Sequence, residues 1–242
     1  MLNTYLIFAT LVAYIVKGMS GFASTLVFST ILSVKENNIN ISPVDLIVGF
    51  PSNVILVWKN RREIRFRIWF PLAVFIIAGL IPGTILLKLG DVHLVKVMFG
   101  IVVVLLSSNM FYHEFFQKKE EKQSKVMLAV IGIASGILCG MFGIGALLAA
   151  YVSRTTENTK AFQGNICTVF LVDNIARMFL YTMSGIVTVE VWKTSILLIP
   201  FMLVGMMIGL LIGRAMNEKT AKRVIIVLLL LSGIALVCSE LI

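Results

Sequence analysis

Lys17-Gly18-Met19-Ser20-Gly21-Phe22-Ala23-Ser24-Thr25 places a lysine, two glycines and three hydroxyls inside an apolar run from Leu2 to Val34. An ammonium at mid-membrane costs about 2.5–3.5 kcal/mol even on the mild insertion scale. Irregular, polar backbone persists in hydrocarbon only where protein buries it or it lines a wet cavity. Groups of this kind at this spacing suit anion binding. Half-helices meeting at a break expose amides and the partial positive charge of a helix N-terminus. Gly18 and Gly21 let a ligand approach the backbone, Ser20, Ser24 and Thr25 add hydroxyl donors, and Lys17 adds a full charge. A second break, Cys139-Gly140-Met141-Phe142-Gly143-Ile144-Gly145-Ala146, follows 122 residues later, with Gly140-x-x-Gly143 matching Gly18-x-x-Gly21. Matched breaks in two halves point to a transporter binding site. The competing reading is that these glycines only pack helices, as small-xxx-small pairs do.

The segments after each break carry further polar groups in apolar surroundings. Ser52 and Asn53 follow Pro51 in the first half; Gln163-Gly164-Asn165, Thr168, Asp173-Asn174 and Arg177 mark the second. Asn53, Asn165 and Thr168 suit side-chain hydrogen bonding to an anion. The fixed charge and planar fork of Arg177 suit an oxyanion, unless Asp173, four residues earlier, forms a local pair that neutralises both. Asp45 reads as an interfacial or helix-start residue. Cys139, Cys167 and Cys238 stand singly in apolar segments, without disulfide or metal spacing, and read as packing residues. His93 and His113 have no partner motif, so neither metal nor cofactor is expected. There is no ATP-binding motif, no Gly-x-Ser-x-Gly, no His-Glu-x-x-His and no His/Asp/Glu cluster. An enzyme is not expected.

These groups need a membrane scaffold. Hydrophobic residues make up 59% of the 242 and charged ones 14%, against about 45–50% and 25% in soluble domains. The reading is an all-α polytopic membrane protein of about eight segments. They are Leu2–Val34 (broken), Pro43–Trp58, Ile68–Leu89 and Leu94–Phe116, then Val126–Val152 (broken), Ala161–Met183, Val191–Ile212 and Ala221–Leu241. The apolar start, Met1 to Val16, lacks a basic n-region, so a cleaved signal peptide is not expected. The net charge of +9 comes without a basic, aromatic-interleaved surface, so no nucleic-acid partner is expected. The partners expected are the lipid bilayer and a small anionic substrate, with assembly into a homo-oligomer left open.

Topology explains the charge better. If each broken segment crossed once, ten Lys and Arg would lie on one side and nine on the other. If each is instead a re-entrant pair of half-helices, fifteen face four, with Lys17 and Arg177 intramembrane. The excess of Lys and Arg in cytoplasmic loops favours the second arrangement. A straight helix from Leu2 to Val34 would also run about 50 Å, against a hydrocarbon core of about 30 Å. Each half is then a broken, re-entrant helical hairpin plus three transmembrane helices. Three crossings invert the second half relative to the first. The expectation is two inverted repeats, 1–116 and 126–242, joined by a cytoplasmic connector, 117–125, in a multi-pass protein of the cell (plasma) membrane.

Over nearly the whole chain these features resemble the TauE/SafE family of sulfite exporter-type proteins, grouped with toluenesulfonate uptake permeases. Lys17-Gly18-x-x-Gly21-Phe22 is similar to its first-repeat signature and Gly140-Met141-Phe142-Gly143-Ile144-Gly145 to its second. Phe162-Gln163-Gly164, Gly185, Pro200, Gly205 and Gly209 are similar to its second-half pattern. Ala23 stands where the family often has glycine, Ser29 where it often has proline, and Ala146 and Leu147 where it has glycine and proline. The resemblance implies a secondary transporter of sulfite, organosulfonates or related small anions, working by alternating access around the two breaks. Small carboxylates as cargo, and an anion channel of the same architecture, are the alternatives. Import and export, and the coupling ion, stay open.

Overall fold

Helix α1 (Thr4–Ser20) stops inside the apolar run, and α2 (Ser24–Ser33) starts three residues later. The computed structural model describes residues 4–33, 38–89, 125–156 and 158–215, with isolated positions between 91 and 112. The expected segment 221–241, residues 117–124 of the connector and most of 94–116 lie outside the described residues. The stop has a local cause. Gly21 takes φ +82° and Ala23 φ +69°, a left-handed conformation that ends a right-handed helix. The chain then doubles back: the Tyr5 hydroxyl donates to the carbonyl of Ile31, 26 residues away. On a straight helix those residues would lie about 39 Å apart.

Among the described residues four helices are long and apolar enough to cross a bilayer: Asn40–Lys59, Phe66–Leu89, Thr159–Met183 and Val189–Gly213. In chain order the remaining elements are α3 (Asn38–Lys59), α4 (Phe66–Leu89), α5 (Lys125–Phe142), α6 (Ala146–Thr155), α7 (Thr159–Met183) and α8 (Val189–Ala215). All described secondary structure is helical.

The second break repeats the backbone course of the first. Gly21 N–H donates to the carbonyl of Lys17 at 2.7 Å, and Gly143 N–H to that of Cys139 at 2.9 Å. Val27 N–H donates to Ala23 at 3.1 Å, and Ala149 N–H to Gly145 at 2.9 Å. Each of these pairs is offset by 122 residues. Gly143 has φ +72°, the counterpart of Gly21.

Glycines also set the helix contacts, which hydropathy could not reveal in helices apolar all round. A Cβ on Gly79 or Gly83 of α4 would fall within 3 Å of the carbonyl oxygens of Ile133 and Ile137 on α5. A Cβ on Gly205 or Gly209 of α8 would do the same to Leu11 and Ile15 on α1. Two Gly-x-x-x-Gly faces thus hold the two first half-helices. Gly18 and Gly140 complete these contacts from the other side: Gly18 lies against the α8 backbone at Met206 and Leu210, Gly140 against α4 at Leu80 and Gly83. With no hydrophobic drive between helices in lipid, such close packing is what binds them.

Helix α7 fixes the remainder. Asn158 caps it by accepting from Ala161 N–H at 2.8 Å. Asn165 clamps it to the α3–α4 turn, accepting from Arg65 N–H at 2.9 Å and donating to Glu63 O at 3.1 Å.

Close packing and backbone strain should separate in stability measurements. Gly83→Ala and Gly209→Ala should each cost about 2–3 kcal/mol by overpacking. Gly185→Ala should cost only about 1 kcal/mol, because Gly185 has φ +70° but open space around it. Equal losses in detergent unfolding of the three variants would contradict this packing.

Candidate functional site

Breaking a helix in an apolar interior frees backbone groups that nothing in hydrocarbon can satisfy. The side chains of α7 answer most of them. A Cβ on Gly21 would collide with the Gln163 side chain, one on Gly145 with the Phe170 ring, and one on Gly143 with the Arg177 guanidinium and the Thr25 methyl. Cys167 Sγ lies 3.4 Å from the carbonyl of Gly21. Arg177 Nη1 donates to the carbonyl of Cys139 at 3.1 Å, and the Tyr181 hydroxyl to that of Gly140 at 2.7 Å. Both breaks therefore lie along one helix, and through Thr25 and Gly143 they touch each other.

Where they meet there is a cavity of about 30 Å³. The first half contributes Lys17 from α1, Ser24 and Thr25 from α2, and Asp45 and Asn53 from α3. The second contributes Gly143 and Gly145 from its break, and Phe170, Asp173 and Arg177 from α7. Helix α2 starts at the cavity wall, and the first amides of any helix lack an intrahelical acceptor. Helix α6 starts there too, capped by Gly145, which offers those amides no side-chain acceptor.

The charged groups are deeply buried: Lys17 is 3% exposed, and Asp45, Asp173 and Arg177 are each 2% exposed. Lys17 Nζ donates to Asn53 Oδ1 at 2.7 Å. Thr25 Oγ1 donates to Asp45 Oδ2 at 2.6 Å. The i, i+4 pair forms, with Arg177 Nη2 3.3 Å from Asp173 Oδ2, and the same nitrogen donates to Asn174 Oδ1 at 3.1 Å. Among the described residues Asp45 Oδ1, Asp173 Oδ1 and Arg177 Nε have no hydrogen-bond partner. Two cations thus share a buried cavity with two carboxylates, and several polar atoms have bonding capacity to spare.

The residues expected from sequence divide. Lys17, Ser24, Thr25, Asn53, Gly143, Gly145 and Arg177 all line the cavity. Others sit elsewhere. Gly18 and Gly140 pack helices, and Gly21 packs on Gln163. Ser20 Oγ stays within its own break, donating to Val16 O at 2.8 Å and Phe22 O at 2.7 Å. Ser52 Oγ donates to Gly49 O at 2.6 Å and Thr168 Oγ1 to Gly164 O at 2.8 Å, while Asn165 holds the α3–α4 turn.

Asp45 was placed at a segment end by sequence but lines the cavity. A signal for it existed: Asp45, Gly49 and Asn53 recur every fourth residue, which puts them on one helix face. Phe170, Asp173, Asn174 and Arg177 follow the same rule on α7.

The Lys17–Asn53 bond should appear as coupling in a double-mutant cycle. Asn53→Leu should destabilise by about 2–3 kcal/mol, by stranding a buried charge. Lys17→Met should cost about 1–3 kcal/mol, by stranding the amide. The double variant should lie near wild type in thermal unfolding; simple additivity of the two losses would refute the bond.

The family model described as Sulfite exporter TauE/SafE matches residues 6–236. No curated protein and no solved structure gives a match. Its four long apolar helices mark a membrane protein, and with both breaks and both packing faces inside the matched residues the chain belongs to the sulfite exporter TauE/SafE family.

Proposed function

We propose that the protein is a secondary transporter of a small anion, sulfite or a small organosulfonate, which binds in the cavity where the two breaks meet. The observation that carries this reading is the convergence, from opposite halves, of two helix starts and two cations on one buried space. Preorganised donors in a buried site favour an anion over water, because the donors are already oriented and weakly screened. Lys17 and the α2 amides would hold the anion from one side, and Arg177 with the α6 amides from the other. Asn53 would orient the Lys17 ammonium.

Size ranks the cargo. A single water needs about 10–15 Å³ of such space, so about 30 Å³ suits a compact oxyanion better than a sulfonate with a long or aromatic tail. Small carboxylates would meet the same donors with one oxygen fewer.

For the architecture, the proposal is two inverted repeats, 1–116 and 126–242, in eight membrane segments of a multi-pass plasma-membrane protein. Its support is the pair of breaks at an offset of 122 residues and the twinned Gly-x-x-x-Gly contacts. The contacts pair Gly79 and Gly83 with Gly205 and Gly209, an offset of 126, so the halves drift by four residues between the break and the packing face. Reporter cysteines replacing Arg62 and Lys160 should react with an impermeant reagent from the same side of the membrane, whereas single crossings would place them on opposite sides. Labelling from opposite sides would sink the re-entrant arrangement.

A thermal-shift screen on purified protein tests the cargo. Sulfite and methanesulfonate should stabilise the wild type, by about 2.7 kcal/mol at a hundredfold excess over Kd. Matched carboxylates should act more weakly, and Lys17→Ala should abolish the shift. Stabilisation that survives in Lys17→Ala would move the site elsewhere, and flux that never saturates with concentration would favour a channel.

A further inference from the structure

We propose that Asp45 is the proton site of this carrier, so that one proton travels with each anion; the inference rests on the anion-transport reading above. Asp45 is 2% exposed and lines the cavity, yet only one of its oxygens is answered. Oδ2 accepts from Thr25 at 2.6 Å, while Oδ1 has no hydrogen-bond partner among the described residues. No described cation lies within ion-pairing distance of it. Asp173, the other carboxylate of the cavity, differs: Arg177 Nη2 sits 3.3 Å from its Oδ2. The two carboxylates thus have separate tasks.

Charge balance gives Asp45 its task. Asp173 and Arg177 cancel, and so do Asp45 and Lys17, which leaves the empty cavity neutral. A bound anion would add an uncompensated charge to a buried space, which is costly. A proton on Asp45 Oδ1 removes that excess and turns an idle acceptor into an O–H donor aimed into the cavity. The proton comes from hydronium on one side, whose O–H bond breaks as that of Asp45 forms, and passes to water on the other, where the Asp45 O–H breaks as a hydronium O–H forms.

The groups that face Asp45 agree with this. Helix α1 offers Lys17 and Tyr14, α2 offers Thr25, and α7 offers Arg177, which is committed to Asp173. Helix α8 brings Glu190 to a neighbouring cleft over Asn40, Ile41 and Val44, one side of α3 away. Lys17 gives its described hydrogen bond to Asn53 rather than to Asp45.

The test uses proteoliposomes of the full chain and methanesulfonate, which remains a monoanion throughout, so any proton counted belongs to the protein. Two readings are taken: exchange of labelled methanesulfonate at equal concentration and pH on both sides, and uptake driven by an inward proton gradient with a pH dye in the lumen. In the wild type a gradient should raise uptake at least tenfold, acidify the lumen in step with the anion, and lose its effect with a protonophore. Asp45→Asn should lose the gradient response and the luminal acidification; Asp45→Glu should restore part of both. Wild-type exchange that ignores the proton gradient, or responds to a sodium gradient instead, overturns the proton site but not anion transport. A gradient response that persists in Asp45→Asn also overturns it. Absence of any exchange in the wild type overturns the sulfonate reading and this inference together. Should Asp45→Asn fail to fold, the luminal acidification measured on the wild type still decides.

Discussion

An α-helix that breaks inside hydrocarbon leaves amides and carbonyls that only other protein groups can satisfy, and the described structure is arranged around meeting that demand twice. One helix does most of it. From Gln163 to Tyr181, α7 meets the first break with Gln163 and Cys167 and the second with Phe170, Arg177 and Tyr181. Those contacts span about 27 Å of helix, close to the thickness of the hydrocarbon core. This explains why so apolar a helix carries Asp173, Asn174 and Arg177 at its centre. At Ala23 the accommodation is incomplete. A residue with a Cβ holds φ +69°, where glycine is common in the family, at a cost of about 1–2 kcal/mol.

The two halves solve one electrostatic problem with exchanged parts. In the first, the cation sits on the broken helix, Lys17, and its neutral partner on the following helix, Asn53. In the second, the position 122 residues after Lys17 is Cys139, which offers a carbonyl, and the cation comes from the following helix as Arg177. Each break end therefore meets one positive charge. A residue-by-residue comparison of the halves sees lysine against cysteine and finds nothing alike, although the physical arrangement is shared. At the break itself what recurs is the glycine pair, Gly18 with Gly140 and Gly21 with Gly143, together with Met19 and Met141; the role of Gly21 and Gly143 is set by backbone geometry.

This also accounts for what the sequence could reveal. The breaks were legible because polar and glycine residues in a long apolar run have few explanations, and so were Lys17, Thr25, Asn53 and Arg177. The work of Gly18 and Gly140 was harder to place. A glycine that lets a ligand approach and one that lets a helix approach look the same in a string, and both of these pack helices. Asn165 and Thr168 looked like ligand donors because an amide or hydroxyl in a membrane helix must bond to something. Here the partners are a neighbouring turn and the helix's own backbone. Asp45 reads as a helix-start residue from its distance to the segment end, whereas its four-residue register with Asn53 puts it on the face that lines the cavity.

The packing that holds the site also restricts how it opens. At Gly79, Gly83, Gly205 and Gly209 the partner backbone lies where a Cβ would be, within 3 Å. Rotating α1 on α8, or α5 on α4, would drive the neighbouring side chains of these faces into backbone, so each pair behaves as a unit. Each unit joins a first half-helix from one half of the chain to a long helix of the other. Of these four helices only α1 reaches the cavity, through Lys17. The cavity lies where α3 and α7 pass between the units, and its walls there are side chains such as Thr25, Asp45, Asn53 and Arg177, which can change rotamer without disturbing a backbone contact. On the transport reading proposed above, room for an ion larger than the present 30 Å³ would come from displacement of one unit against the other along α3 and α7. In such a movement the polar contacts would be exchanged and the glycine contacts kept.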